Sequence, residues 1–228
     1  MTFSIAALCP RTREFGCALA TSSMAAGARA PFVDANAGVV LSQARSDPRL
    51  GVLGLNRLQA GRSAMDALSD MLASTPHSTW RQLAVVDREG RVAEFTGGHC
   101  TLAKGARVGR AAVAIGNGLA NDSVVDAILR GFEVAPEKNL SDRLLMALEA
   151  GLTAGGEAYP LRSAAMKVAR PSVPFTPIDL RIDFSETPIA DLRRMWTAWE
   201  PMVEGYIQRC LDPENSPAAA LIEGHGAR

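Results

Sequence analysis

The sequence of 228 residues predicts an α+β fold, in which two mostly antiparallel sheets face each other and helices cover both outer faces. Such a fold is a four-layer αββα sandwich. The first observation behind this prediction is the grouping of strand-like and helix-like segments, which does not fit the regular alternation of a βαβ protein. The second is that several strand-like segments are apolar at nearly every residue. Strands of this kind are usually covered on both faces, as the inner layers of a sandwich are.

The first half of the chain contains two predicted hairpins with two helices between them. The first hairpin has the turn residues CPRTREF between the strands TFSIAAL and GCALATSS, and a third strand, GVVLSQA, follows it. One helix is predicted from about Arg49 to Ala60. Another is predicted for AMDALSDMLA, because Ser63 and Asp66 form a capping-box-like start. The second hairpin is predicted for QLAVVDREGRVAEFTG, where charged turn residues separate two alternating strands.

The second half is predicted to continue with strands and helices in groups. After the buried strand AAVAIGN, one helix begins behind Asn121 or Asp122 and another begins at Ser141. Two strands, SAAMKVAR and IDLRIDF, then precede a last helix from Thr187 to about Leu211. Because no linker divides the chain, we expect a single domain over residues 1–211 and a loose tail over 212–228.

Composition excludes several classes of function. The 24 basic and 24 acidic residues give a formal net charge of +0, which argues against nucleic acid as a partner. No block of like charges and no long apolar stretch indicates a membrane partner. The start of the chain is a poor signal peptide, so we expect a cytoplasmic protein. The 4 cysteines and 3 histidines show no metal-ligand spacing, and we expect reduced thiols, no metal and no cofactor.

Six segments of the chain carry a resemblance to a known family: TFSIAAL, LSQARSDPRLGVLGLNRLQAG, LAVVDREGRVAEFTG, AIGNGLA, EAGLTAGGE and IDLRIDFSETPIADLRR. In order and spacing they resemble a bacterial and archaeal domain-of-unknown-function family that is grouped with the Ntn (N-terminal nucleophile) hydrolases. The resemblance covers residues 2–195. It implies the same αββα sandwich that the order of elements predicts. It also implies that the first residue of the mature chain is the nucleophile, which would be Thr2 once Met1 is removed.

The chemistry of Thr2 suits this role. A hydroxyl is a weak nucleophile that needs an adjacent base. The α-amine of a terminal residue has an ordinary pKa of about 7.7 to 8.0, so it can accept the proton and return it. This requires Thr2 to be the terminus. The alternative is that Thr2 is an ordinary β-branched strand residue with no catalytic role.

Asn117 is the next candidate. It follows Gly116 at the end of an apolar strand, where its amide and nearby N–H groups are suited to hold an oxyanion and Gly116 lets the backbone approach a ligand. The alternative is a Gly-Asn-Gly turn. Glu157 is a possible site acid after two glycines, but we expect an exposed loop carboxylate there.

Four further residues are candidates for binding a substrate. Thr21 and Ser22 end the second strand beside the first, and either hydroxyl can orient the amine or bind substrate; turn hydrogen bonds are the alternative. Gln43 ends the third strand and is suited to bind a substrate carbonyl, unless it satisfies loop backbone. Arg45 follows on a polar loop and can pair with a substrate carboxylate, or form a surface salt bridge.

Two functions therefore remain open from the sequence. The first is an Ntn-type amidohydrolase that cleaves a non-peptide amide of a small molecule. The second is a non-catalytic protein of the same fold that binds a small metabolite or forms oligomers. A cysteine-dependent enzyme using Cys9 or Cys100 lacks a paired base. We also expect a homo-oligomer, with the last helix, which carries Trp196, Trp199 and Tyr206, as core or subunit interface.

Overall fold

The computed structural model describes residues 1–101 and 103–225. Its strands are β1 (Thr2–Leu8), β2 (Phe15–Thr21), β3 (Pro31–Asp34), β4 (Gly38–Ala44), β5 (Arg81–Asp87), β6 (Val92–Thr96), β7 (Ala103–Gly109), β8 (Ala112–Leu119), β9 (Ser163–Ala169) and β10 (Ile178–Ile182). Its α-helices are α1 (Pro48–Gln59), α2 (Ala64–Ala73), α3 (Val124–Glu133), α4 (Leu140–Thr153), α5 (Pro188–Trp199), α6 (Val203–Leu211) and α7 (Ala219–Ile222). In the described ranges, no helix combines the length and the apolarity that crossing a membrane requires.

The strands form two antiparallel sheets. The first sheet has the order β10-β9-β2-β1-β8-β7, and the second has the order β3-β4-β5-β6. Every neighbouring pair in both sheets is antiparallel. The strand β1 therefore lies in the middle of the first sheet, between β2 and β8, where the start of the chain is held on both sides.

The two sheets are stacked and helices cover their outer faces. Helices α1 and α2 pack on the second sheet, and α3, α4 and α5 pack on the first. In β1, Phe3 and Ile5 belong to the apolar core between the first sheet and its helices α3, α4 and α5, whereas Ala6 and Leu8 belong to the core between the two sheets. Because both faces of β1 are covered, the strand is apolar at nearly every residue. The predicted four-layer αββα sandwich is confirmed.

Two strands are additional to those predicted from the sequence, and one predicted helix is divided. The extra strands, β3 and β7, lie at sheet edges and are only partly buried, so they lack the continuous apolar pattern of the inner strands. The helix predicted from Thr187 to Leu211 is interrupted by a 3₁₀ turn at Glu200–Met202. Pro201 lies in that turn and has no backbone N–H to continue an α-helix.

The end of the chain, which we expect from the sequence to form a loose tail, contains the short helix α7. Gly205 of α6 lies against Ile222, close enough that a Cβ at Gly205 would come within 2.8 Å of its side chain. The Tyr206 hydroxyl donates a hydrogen bond to the Glu223 carboxylate. These contacts join α7 to α6.

Asp87, at the end of β5, joins the turn between β5 and β6 to the start of helix α2. Its Oδ2 accepts hydrogen bonds from the N–H of Ala64 at 2.9 Å and from Nε of Arg91 at 2.7 Å, and its Oδ1 accepts from the N–H of Glu89 at 3.0 Å. Burial alone would raise the pKa of Asp87, but the hydrogen bond from Ala64 and the Arg91 guanidinium lower it below its ordinary value.

We expect the change Asp87→Asn to lower the free energy of unfolding by about 2 kcal/mol at neutral pH, because an amide N–H₂ faces two donors in place of a carboxylate oxygen. Because the pKa of Asp87 is lower in the folded state, its carboxylate stabilises the fold at pH values above its unfolded-state pKa of about 3.9. This stabilisation is lost as the pH falls through the folded-state pKa. Urea unfolding at neutral and acidic pH measures both effects. The exposed Asp122→Asn is the control, and an equal loss in both variants would contradict the prediction.

Candidate active site

One end of the space between the two sheets is polar. Alternate residues of a strand share a face, so Thr2 and Ser4 point to the same side as Ala6, into the space between the sheets. The same alternation brings four side chains from neighbouring strands to this place. They are Thr21, Gln43, Gln82 and Asn117. All six polar side chains are buried, which predicts that they bond to one another.

A chain of hydrogen bonds connects four of these side chains across the sheets, namely Ser4, Gln43, Gln82 and Asn117. Thr2 lies directly opposite Asn117 in the β1–β8 pairing. Ser4 Oγ donates to Gln43 Oε1 at 2.6 Å, and Gln43 Nε2 donates to Gln82 Oε1 at 2.8 Å. Asn117 Nδ2 donates to the same Gln82 oxygen at 2.9 Å. The amide of Asn117 is therefore held in a defined orientation beside Thr2.

Gln82, which the sequence reasoning missed, is the centre of this polar cluster. Its Nε2 donates to the carbonyl oxygen of Gly116 at 2.8 Å, to Thr96 Oγ1 at 3.0 Å and to the carbonyl oxygen of Gly105 at 3.2 Å. One side chain of the second sheet thus bonds to two strands of the first. The sequence did contain a signal for Gln82. In the strand QLAVVD, Gln82 lies two residues before Ala84, so the two side chains point to the same face of the sheet.

The first residue of the chain is packed into the same site. The hydroxyls of Thr2 and Thr21 both donate to the carbonyl oxygen of Met1, the second at 2.6 Å. Gly118 has φ +67°, and a Cβ there would come within 1.9 Å of Met1 Cγ, so only glycine leaves room for this side chain. Removal of Met1 would vacate the space over Gly118 and leave the Thr21 hydroxyl close to the new α-amine of Thr2.

Glu157 is buried, and the expectation of an exposed loop carboxylate is wrong. The preceding Gly156 accepts a hydrogen bond from the N–H of Ala120 at 3.0 Å, and the N–H of Ala158 donates to Gly118 at 3.0 Å. These bonds fasten the segment to the end of β8. Glu157 Oε2 accepts from the N–H of Ser22 at 2.9 Å, and among the described residues Oε1 has no partner.

The surroundings of Glu157 change its acidity in two directions. Burial raises the pKa of the carboxyl above its ordinary value, and this effect is the larger one. Hydrogen bonds from Ser22 and Thr21 and the positive charge of the α-amine act in the opposite direction. Glu157 is therefore a buried acid close to the start of the chain.

We expect Glu157→Gln to change how stability depends on pH. A carboxyl whose folded-state pKa is raised favours the fold below the unfolded value of about 4.3, and this contribution is lost as pH rises through the folded value. The wild type should therefore lose stability as the pH rises from the unfolded-state pKa to the folded-state pKa of Glu157, and the glutamine variant should not. Thermal unfolding at several pH values measures this, with the exposed Glu186→Gln as control. Parallel curves for the wild type and Glu157→Gln would contradict the prediction.

Two of the predicted residues have other surroundings. Arg45 lies outside the buried cluster, with its guanidinium carbon 4.3 Å from the ring centroid of Trp80, which in turn stacks on His99 at 4.4 Å. Gly116 lies inside β8, and its carbonyl oxygen accepts from Gln82. By contrast, Thr21, Gln43 and Asn117 lie together beside Thr2, and Ser22 contributes its backbone N–H to Glu157.

The fold and this buried polar cluster define an α+β sandwich protein with a candidate site between its sheets. The family model described as "Family of unknown function (DUF1028)" matches residues 2–192, and the chain belongs to this family. None of the curated proteins matches the chain.

Several solved structures are similar to this chain, including the two that follow. Protein SPO2555 from Silicibacter pomeroyi, which carries the same family model, is 36% identical over 87% of this chain and 88% of its own, with a TM-score of 0.80. Anbu (ancestral beta-subunit) from Yersinia bercovieri is 12% identical over 90% of this chain and 97% of its own, with a TM-score of 0.38. A likeness as low as the second carries no argument about function.

Proposed function

We propose that this protein is an Ntn-type amidohydrolase that cleaves a non-peptide C–N amide bond of a small molecule, with Thr2 as its nucleophile. One observation carries the proposal. The hydroxyl of Thr2 lies at the start of the central strand and faces the space between the sheets, among buried polar side chains from four other strands.

The first step is attack of Thr2 Oγ1 on the amide carbonyl carbon. The α-amine of Thr2, free after removal of Met1, accepts the hydroxyl proton and passes it to the leaving nitrogen as the C–N bond breaks. The product is an ester between Thr2 and the acyl group. Water then attacks the ester, which releases the carboxylic acid and restores the hydroxyl.

Three residues support this step in the proposal. Asn117 Nδ2 carries two N–H bonds, one of which is donated to Gln82. We assign the second to the negative oxygen of the tetrahedral intermediate. Thr21, whose hydroxyl donates to the carbonyl oxygen of Met1, and Glu157, whose carboxyl is influenced by the charge of the Met1 amine, lie beside the start of the chain. We assign to both the orientation of the new α-amine of Thr2 after Met1 is removed.

The test is covalent labelling of the untagged protein with a β-lactone, read by intact mass and peptide mapping. A β-lactone acylates a hydroxyl by opening its own ring, so the adduct adds the whole mass of the probe. We expect Met1 to be absent and the adduct to lie on Thr2. The matched control is an N-terminally tagged form, in which Thr2 has no free amine and should not react.

Absence of a Thr2 adduct in protein that lacks Met1 would contradict the hydrolase. The same result would favour the second function left open by the sequence, a protein of this fold that binds a metabolite or forms oligomers. Equal labelling of Thr2 in the tagged form would show that the α-amine is not the base.

A further inference from the structure

A cavity lies at the opposite end of β1 from Thr2. The strand has seven residues, so about 20 Å separates its two ends. The cavity has a volume of about 300 Å³. Its lining contains one thiol, one carboxylate and three guanidinium groups, contributed by Cys9, Glu133, Arg11, Arg110 and Arg143.

Arg143 is the unusual member of this lining. It is only 8% exposed, although arginine is rarely buried without a counter-ion. Its Nε donates to the carbonyl oxygen of Phe132 at 3.1 Å, and its guanidinium carbon lies 4.0 Å from the centroid of the Phe132 ring. Within residues 1–101 and 103–225, no ion pair joins it to a carboxylate. Its guanidinium is therefore held by the end of α3 and an aromatic face, and Cys9 and the Glu133 carboxylate act on its charge without a direct ion pair.

The cavity has an excess of positive charge. Three guanidinium groups face one carboxylate, Glu133, which leaves two formal positive charges. Arg11 is held in place because its Nη2 donates to the carbonyl oxygens of Glu137 at 3.0 Å and Lys138 at 3.1 Å. Arg11 and Arg143 are thus positioned by hydrogen bonds to backbone carbonyl oxygens.

We propose that this cavity binds a phosphate dianion, either as the free ion or as the phosphoryl group of a small phosphomonoester. The two negative charges of the dianion match the two excess positive charges of the lining, whereas a monovalent carboxylate would match only one of them. Guanidinium groups bind phosphate oxygens with paired hydrogen bonds, and the volume suits a small ligand. A bound anion also supplies a directly paired counter-ion for Arg143, which forms no ion pair in the described part of the chain.

Cys9 provides an independent reporter inside the cavity. Burial alone would raise the pKa of its thiol, but hydrogen bonds from Thr12 and from the backbone of Arg11, with the charge of Arg143, lower it below its ordinary value. A bound dianion would oppose the effect of the Arg143 charge and so leave less of the reactive thiolate. Phosphate should therefore slow alkylation of Cys9 and leave the exposed Cys210 unaffected.

The direct test is isothermal titration of the full-length protein with inorganic phosphate and, separately, with glycerol phosphate, at constant chloride concentration. We expect one saturable site. Arg143→Gln and Arg110→Ala should each weaken binding by about tenfold, since each removes a charge-assisted hydrogen bond. The matched control is Arg194→Ala, an exposed arginine of α5 that lies outside the lining and should bind as the wild type does.

The outcomes separate the sources of the anion. Similar affinity for both probes assigns the site to the free ion, and tighter binding of glycerol phosphate assigns it to a phosphomonoester. Arg110 is exposed, so its variant tests the site even where Arg143→Gln fails to fold. No saturable binding at millimolar phosphate, or unchanged affinity in Arg110→Ala, would overturn the proposal. Thr2→Ala should bind phosphate normally, because the proposal does not depend on hydrolase activity.

Discussion

Replacing Thr2 with alanine is expected to lower amide hydrolysis by at least about 1,000-fold, the scale on which enzymes lose activity when the nucleophile is removed. The fold should survive, because the change removes one hydroxyl and one methyl group from the end of a strand. The α-amine, Asn117 and Glu157 remain, but no atom is left to form the acyl ester.

The measurement compares hydrolysis and β-lactone labelling in the wild type, Thr2→Ala and Thr2→Ser. Serine keeps the hydroxyl and should retain both reactions, which separates loss of the nucleophile from a disturbed strand. Circular dichroism and urea unfolding check that the alanine variant is folded. Hydrolysis at the wild-type rate by Thr2→Ala would remove Thr2 from the mechanism.

The change Gln82→Met is expected to lower the free energy of unfolding by about 3 to 5 kcal/mol, because several buried polar groups each lose a hydrogen-bond partner. Methionine is similar in shape but neither donates to the carbonyl oxygen of Gly116 nor accepts well from Gln43 and Asn117. The Asn117 amide would also lose its fixed orientation. Labelling of Thr2 should therefore slow along with the loss of stability.

Urea unfolding measures this change, provided that the free energy of unfolding depends equally steeply on urea concentration in the wild type and in Gln82→Met. The matched control is Gln59→Met, since Gln59 is exposed and, among the residues that the structure describes, its side chain bonds only to Asp34, at 3.1 Å. A loss at Gln82 no larger than the loss at Gln59 would show that the polar cluster contributes little to stability.

The fold was predicted well where local pattern and burial agree. The central strand β1 is apolar on both faces, and its sequence TFSIAAL indicates a doubly covered strand without further information. The strand β7 was missed because KGARVG is polar and rich in glycine, and it becomes a strand only by pairing with β8. Edge strands are defined by a partner that is distant in sequence, and local pattern does not contain that partner.

The candidate site was predicted in part for the same reason. Thr21, Gln43 and Asn117 were chosen as polar residues at strand ends, and the structure brings these residues together beside Thr2. Gln82 begins a strand and was overlooked, although in the described residues its side chain makes five hydrogen bonds, more than the side chain of any predicted residue. Glu157 was expected to be exposed because two glycines precede it, yet backbone bonds to the end of β8 bury it.

The sequence by itself determined the family, the four layers and the polar character of particular strand ends, because these depend on the order of residues and on the period of apolar side chains. Only the tertiary structure decided which polar ends meet. Strand order places β1 between β2 and β8 and sets β4 and β5 across from them, so Thr2, Gln43, Gln82 and Asn117 share one buried volume. Contacts between distant segments, which also bury Glu157 and surround Arg143, are set by how the layers pack rather than by neighbours along the chain.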